Sequence, residues 1–290
     1  MSNKLVSFLF QTNAFKVCPE NTPFWLTSGL ISPYFVNTHF LYGNESDSVG
    51  LLNFITNSLE IEDKLDLPGL IFEKVLEQYE HNEVFKTTID SLKTLIEENV
   101  DIHSIDYVSG GERRDWYFSM MIAYLFGIPH ITLFKDQSAV VSTCDFEECT
   151  EIEKLEDKKV LHVADLLTKA SSYVNYWQPA IKKLGSEIVW SAVVVDRQEG
   201  GEETLQKLKI QSLSLVKLDN SLFEKALELD IITKNQFDML IEFKKDPYTY
   251  MRNFLVAHPE FLENALKADP KTAKRAQTCI DNDLYNLKND

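Results

Sequence analysis

VLHVADLLTKASSY, residues Val160–Tyr173, reads as a strand that runs into an acid, a short turn bearing hydroxyls, and then a helix. Val160–Val163 has the apolar, partly β-branched composition of a buried strand. Asp165 stands at the strand end, where a carboxylate can hold two vicinal sugar hydroxyls or a Mg²⁺ ion. Thr168, Ser171 and Ser172 supply hydroxyls, and Lys169 adds a positive charge at the same mouth. The start of the following helix offers N–H groups suited to a phosphate. A capped helix start would use the same Thr and Ser residues. The turn contains no glycine, Ala170 standing in it instead, and Ala164 rather than a second carboxylate precedes Asp165.

Outward from this stretch the chain alternates in a βα rhythm. Ile105–Val108 and His130–Phe134 read as strands, with a helix across Asp115–Phe126 between them. A helix over about 171–184 follows the quoted turn. Glu187–Val195 is then nearly continuous in apolar residues, as a strand buried on both faces should be. The pattern predicts an α/β fold with a mostly parallel central sheet flanked by helices, whose ligands sit at the carboxyl ends of the strands. Before it, Phe24–Gly29 and Ser32–Asn37 carry β-type aromatics broken by turn residues. Helical spacing begins after Pro68-Gly69 and recurs at Ile89, Leu92 and Ile96. Beyond Asp219 the character is helical, and Asp246-Pro247 and Asp269-Pro270 each offer a capping acid followed by a first-turn proline. The expected organisation is an N-terminal segment over 1–66, an α/β core over 67–218 and a helical extension over 219–290.

Two further strand-end turns carry chemistry-bearing residues. In Val108–Trp116, the paired Gly110 and Gly111 after Ser109 can let backbone N–H groups converge on an anion, and Arg113 and Arg114 add positive forks. A surface turn with solvated arginines has the same composition. In Val195–Gly201, Arg197 can make paired hydrogen bonds to a carboxylate or to the carbonyls of a planar base, or the segment is a plain turn closed by Gly200-Gly201. His162, inside an apolar strand, reads as a hydrogen-bonded core histidine, and Tyr173, Tyr176 and Trp177 as helix packing.

A net charge of −16 over 290 residues argues against a general nucleic-acid binder, which needs a basic face. Of the four cysteines, Cys144 and Cys149 could open a metal clip, but no second pair at ligand spacing follows, so reduced thiols are expected. MSNKLVSFLFQTNAF lacks the apolar core and cleavage site of a signal peptide, and no apolar run is long enough to span a membrane. A cytoplasmic protein is expected.

The order and spacing of these segments resemble orotate phosphoribosyltransferase, a type I phosphoribosyltransferase. Phe24-Trp25-Leu26-Thr27-Ser28-Gly29-Leu30-Ile31-Ser32-Pro33-Tyr34-Phe35 is similar to the family's F-x-L-K-S-G-x-x-S-P-x-Y/F, and Val193–Gly201 to its V-D-R-x-E-G segment. VLHVADLLTKASSY occupies the place of the phosphoribosyl-pyrophosphate (PRPP) signature V-L-x-V-D-D-V-x-T-x-G-x-S. The resemblance covers roughly Phe10 to Leu218. It implies residues 1–66 as a hood over the core, a homodimer, and a Mg²⁺-dependent transfer of ribose 5-phosphate from PRPP to orotate. The products are orotidine 5′-phosphate and pyrophosphate, a step of de novo pyrimidine synthesis. It further implies that Asp165 faces the ribose hydroxyls and the metal. Thr168, Lys169, Ala170, Ser171 and Ser172 would wrap the 5-phosphate, with Ser109, Gly110 and Gly111 also on the donor. Arg113, Arg114 and Lys135 would be the catalytic cations, while Tyr34 and Phe35 flank the base and Arg197 reads it.

The chain departs from the family at several of these places. Ala164 replaces the first acid of the pair, and Thr27 replaces a Lys. Ala170 replaces a glycine, at a cost of about 1 kcal/mol where a left-handed backbone is needed. The catalytic loop R-K-x-x-K-x-H-G is matched by Phe134–Val141, where Lys135 survives but Ser138 and Val140 stand for the Lys and His. Asp145, Glu147, Glu148, Glu151 and Glu153 then make the following segment acidic, which would repel a pyrophosphate. The alternative to an enzyme is therefore a regulator of this fold that binds a nucleotide or sugar phosphate without turnover.

Overall fold

The strand expected at Val160–Val163 runs on through Asp165 to Leu167 in the computed structural model, which describes residues 2–61 and 63–287. Short strands come first: β1 (Phe15–Val17), β2 (Phe24–Trp25), β3 (Ile31–Ser32) and β4 (Tyr34–Val36). The next strands are β5 (Tyr107–Gly111), β6 (His130–Leu133), β7 (Ala139–Ser142), β8 (Cys149–Glu151), β9 (Lys159–Leu167), β10 (Glu187–Asp196) and β11 (Gln211–Lys217). They form one seven-stranded sheet in the order β11–β10–β9–β5–β6–β7–β8. Pairing is parallel from β11 across to β6, and antiparallel between β6, β7 and β8. The expected mostly parallel α/β architecture is therefore present, with two antiparallel strands added at one edge.

The chain divides into two units, one of Met1–Ala14 with Thr38–Asp219, the other of Phe15–Asn37 with Asn220–Asp290. The first unit holds the large sheet and helices α1 (Asn3–Gln11), α2 (Glu45–Ile61), α3 (Leu67–His81), α4 (Glu83–Asn99), α5 (Asp115–Phe126), α6 (Gln178–Lys183) and α7 (Gly201–Lys207). Helix α4 shows why these segments are helical. Asn82 caps it by accepting from the Val84 and Phe85 amides, and Phe85, Ile89, Leu92 and Ile96 bury one face at helical spacing. Helix α5 is buried from Trp116 through Ala123 and stops at Gly127, whose φ of 65° suits a glycine terminator. It lies so close to β5 that a β-carbon on Gly110 would sit 2.1 Å from Ser119 Oγ. A helical segment begins at Ser171 and passes through a π-turn at Tyr173–Trp177 before α6. Tyr173 and Trp177 are buried in the same cluster as Ile131, Leu133, Val160 and Ala164.

The second unit contains helices α8 (Asn220–Glu228), α9 (Lys234–Lys245), α10 (Pro247–Ala257), α11 (Pro259–Leu266) and α12 (Pro270–Asp281). Asp246 and Asp269 cap α10 and α12 as their sequence positions predict, each followed by a first-turn proline. These helices pack on the strands β1–β4. Phe223 stacks on Phe15 at 6.0 Å, Phe261 stacks on Trp25 at 5.5 Å, and the Tyr285 hydroxyl accepts the Ile31 amide at 3.0 Å. The segment 1–66 is thus shared, residues 15–37 joining the helical extension. Among the described residues no helix is long and apolar enough to cross a membrane.

Candidate functional site

The carboxyl ends of β5, β6 and β9 open into one cavity of about 280 Å³. Its lining brings together Glu112–Asp115, Lys135, Ala164–Tyr173 and Trp177. Arg113, Arg114, Lys135, Asp165 and Thr168–Ser172, all singled out by sequence, converge here from three strand ends.

The turn after β5 is fixed by its neighbours. Arg113 donates from its guanidinium to the Thr56 hydroxyl on α2, and the Glu112 amide donates to the Leu133 carbonyl at 2.9 Å. Glu112 accepts the Lys135 amide at 3.1 Å, and the Lys135 ammonium lies 3.9 Å from the same carboxylate. Ser109, Gly110 and Gly111 are strand residues and do not line the cavity. Ser109 Oγ lies 2.9 Å from His162 Nδ1, and the Gly111 amide donates to Asp115 Oδ2 at 3.2 Å. The two glycines serve close packing in place of the open anion nest that their spacing allows, for a β-carbon on Gly111 would meet the Trp177 ring at 2.2 Å.

Asp115 is the residue that sequence reasoning missed. Its Oδ1 accepts the Asp165 amide at 2.9 Å, so one carboxylate ties the end of β5 to the end of β9. Burial first, and the adjacent Asp115 charge second, push the Asp165 carboxyl well above the ordinary carboxylate range, against the pull of Arg114. Behind the pair lies His162, fully buried, with Nε2 3.6 Å from Asp115 Oδ2. An acid in the first turn of a helix is routine as a complement to the helix dipole, and that hides Asp115 in the sequence. The only available signal was its position directly after two arginines at a strand end.

The turn after β9 holds Ala170 at φ 56°, the left-handed region that a glycine would occupy without strain. Lys169, Ser171 and Ser172 are exposed at the mouth. The segment matched to the catalytic loop is a tight turn between β6 and β7. Phe134 donates to the Ser138 carbonyl at 3.0 Å, and Ser138 Oγ accepts from Lys64 Nζ at 2.8 Å. Val140 and Val141 lie in β7, and the acids from Asp145 to Glu153 do not line the cavity, so the repulsion expected from them is not built into its walls.

Arg197 does not line the cavity either. Its amide donates to the Leu167 carbonyl at 2.9 Å and its guanidinium lies 2.8 Å from Glu199 Oε1. Tyr34 and Phe35 belong to β4 in the other unit. Tyr34 is buried, its ring 5.1 Å from Phe15 and 5.7 Å from Phe243, while Phe35 meets Phe24 edge-on at 4.7 Å. Cys144 and Cys149 are free thiols, and among the described residues no three His, Cys, Asp or Glu side chains gather into one cluster.

The mostly parallel seven-stranded sheet flanked by helices matches the type I phosphoribosyltransferase fold. The UMP synthase of Leishmania donovani matches with a TM-score of 0.53 at 17% identity, covering 83% of this chain, which spans 42% of that longer protein. The orotate phosphoribosyltransferase of Francisella tularensis matches with a TM-score of 0.53 at 16% identity, over 83% of this chain and 96% of that one. No family model matches the sequence. The adenine phosphoribosyltransferase of Actinobacillus pleuropneumoniae is 28% identical over 176 residues, which is 57% of this chain and 96% of that protein. That of Escherichia coli is 27% identical over 176 residues, covering 57% and 93% respectively. The solved structures share the fold of this chain, and its sequence is similar to adenine phosphoribosyltransferases over 57% of its length.

Proposed function

We propose that the chain transfers ribose 5-phosphate from PRPP to a ring nitrogen of a planar base, with orotate as the first candidate. The observation that carries this reading is the single cavity in which Arg113, Arg114, Lys135 and Lys169 face Asp165 and the hydroxyls of Thr168, Ser171 and Ser172. The bond from C1 of the sugar to the pyrophosphate oxygen breaks and a bond from the ring nitrogen to C1 forms, pyrophosphate taking the electron pair and the ring N–H proton leaving to pyrophosphate or water. Charge builds on the leaving group while the sugar becomes cationic, so the work asked of the protein is electrostatic stabilisation and positioning. Arg113 and Arg114 meet the pyrophosphate, Thr168–Ser172 wrap the 5-phosphate, and Asp165 holds the ribose hydroxyls. The donor set fits Mg²⁺, which prefers hard oxygens and takes one or two carboxylates along with substrate phosphates. Asp165, with Asp115 beside it, would hold that ion on the protein side, and the ion would neutralise pyrophosphate charge. In this reading the protein is cytoplasmic and homodimeric, the latter checked by light scattering after size-exclusion chromatography.

Orotate is favoured by the resemblance of Phe24–Phe35 and Val193–Gly201 to orotate-enzyme segments. Adenine is the competing base, favoured by the sequence likeness to adenine phosphoribosyltransferases. The test is incubation of purified protein with PRPP, Mg²⁺ and each base in turn, followed by chromatography of the nucleotide products. Orotidine 5′-phosphate supports the reading, and product from adenine alone replaces the base. Measurable PRPP binding with no product from any base would favour a sensor. That second reading has its own support in the tight turn Phe134–Ser138, which carries Lys135 but no second Lys and no His.

A further inference from the structure

We propose that Asp115 is the second carboxylate of this site, replacing from a neighbouring strand end the acid that β9 lacks at Ala164, and that it binds the vicinal hydroxyls of a ribose phosphate together with Asp165. The assignment rests on the sugar-phosphate reading above and names the residue that completes it. Along a strand, residues two apart share a face, so His162 and Ala164 point to the same side of β9. Asp115 lies over that side, its Oδ2 3.6 Å from His162 Nε2. The small Ala164 side chain, itself a wall of the cavity, leaves to Asp115 the space that an acid at 164 would need. Each Asp115 oxygen accepts one backbone amide, from Asp165 at 2.9 Å and from Gly111 at 3.2 Å. A carboxylate oxygen has a second lone pair, so both remain able to accept a sugar hydroxyl.

His162 supplies an independent observation. It is wholly buried, its Nδ1 is 2.9 Å from Ser109 Oγ, and its Nε2 has no hydrogen-bond partner among the described residues although it faces Asp115. A buried nitrogen left without a partner is costly, and here it is aimed at the carboxylate that a bound ligand would shift or share. His162 lies behind Asp115, and Asp115 itself reaches the cavity.

The test is calorimetric titration of the native chain, Asp115→Asn, and the swap Ala164→Asp/Asp115→Ala with ribose 5-phosphate, PRPP and inorganic phosphate, all with Mg²⁺. Asp115→Asn should bind ribose 5-phosphate and PRPP roughly tenfold or more weakly, the scale of a lost charged hydrogen bond, while inorganic phosphate binding stays within about twofold. The swap should recover most of the loss, which a purely structural role for Asp115 would not allow. If the native chain binds ribose 5-phosphate and Asp115→Asn binds it equally, the assignment falls and the functional reading stands. A native chain that binds neither sugar phosphate overturns both. Should Asp115→Asn fail to fold, carboxyl ¹³C resonances of the native protein decide the matter. The Asp115 signal must move on adding ribose 5-phosphate and stay in place on adding inorganic phosphate, and the reverse overturns the proposal.

Discussion

The turn Glu112–Asp115 and the turn Thr168–Ser172 face each other across the cavity, yet they are held differently. The first is tied on every side: Arg113 to Thr56, Glu112 to Leu133, and Asp115 to the amides of Gly111 and Asp165. The second has exposed Lys169, Ser171 and Ser172 and one residue, Ala170, in a conformation that its β-carbon disfavours. A turn fixed by its neighbours can present charge at set positions without reorganising, which is what stabilising a leaving pyrophosphate requires. A turn that carries strain and exposed hydroxyls can gain order from a phosphate, the ligand proposed for it. The largest expected effect tests whether the acid between the two turns is shared by both. Asp165→Asn is expected to weaken PRPP binding by on the order of 100-fold, through loss of the carboxyl's paired hydrogen bonds and of its place at the proposed Mg²⁺. Calorimetric titration checks it, and parental affinity would separate the two turns.

The next effect probes the packing of the fixed turn. Gly111→Ala forces a β-carbon against the Trp177 ring, so unfolding stability should drop by about 2 kcal/mol, as overpacked sites do. Urea denaturation measures it. An unchanged midpoint would mean that Trp177 moves aside freely and that the turn is less fixed than its contacts imply.

How far these features could be read beforehand follows the same contrast. The βα rhythm was readable because strands buried on both faces, such as Val193–Val195 in β10, are continuous in apolar residues. The turn after β9 was readable for the same reason, since it follows such a strand directly. β7 and β8 were not, being short, partly exposed and, around β8, acidic. The carboxylate pair was half readable. Asp165 announces itself at a strand end, but Asp115 meets it from fifty residues away in sequence, and nothing local distinguishes it from an ordinary first-turn acid. The glycines of β5 were visible, but a packing role and an anion nest leave the same two letters. Only the position of Trp177 and Ser119 separates them.

A smaller effect concerns pH. The folded chain holds the Asp165 proton more tightly than the unfolded chain, whose aspartates titrate near 4. Stability of the ligand-free protein should therefore be greatest below that value and fall as pH rises from about 4 towards about 8, where the folded carboxyl finally ionises. A decline in melting temperature of about 5 °C across this window is expected, and Asp165→Asn should flatten it. The same slope in the variant would assign the effect to other groups.

The smallest effect falls on the strained turn. With Ala170 at φ 56°, replacement by glycine relieves the clash of the β-carbon with the backbone but adds freedom to the unfolded chain. The first term, about 1 kcal/mol or slightly more, exceeds the second, roughly 0.5 to 1 kcal/mol, by little. Ala170→Gly should thus raise stability by at most about 1 kcal/mol, read as a small rise in the urea midpoint. Its effect on ligand binding separates two uses of the strain. If the turn is already shaped for a phosphate, as its left-handed residue implies, Ala170→Gly leaves the affinity for inorganic phosphate unchanged. If phosphate must pull the turn into that shape, the variant binds more tightly, because part of the conformational cost no longer comes out of the binding energy.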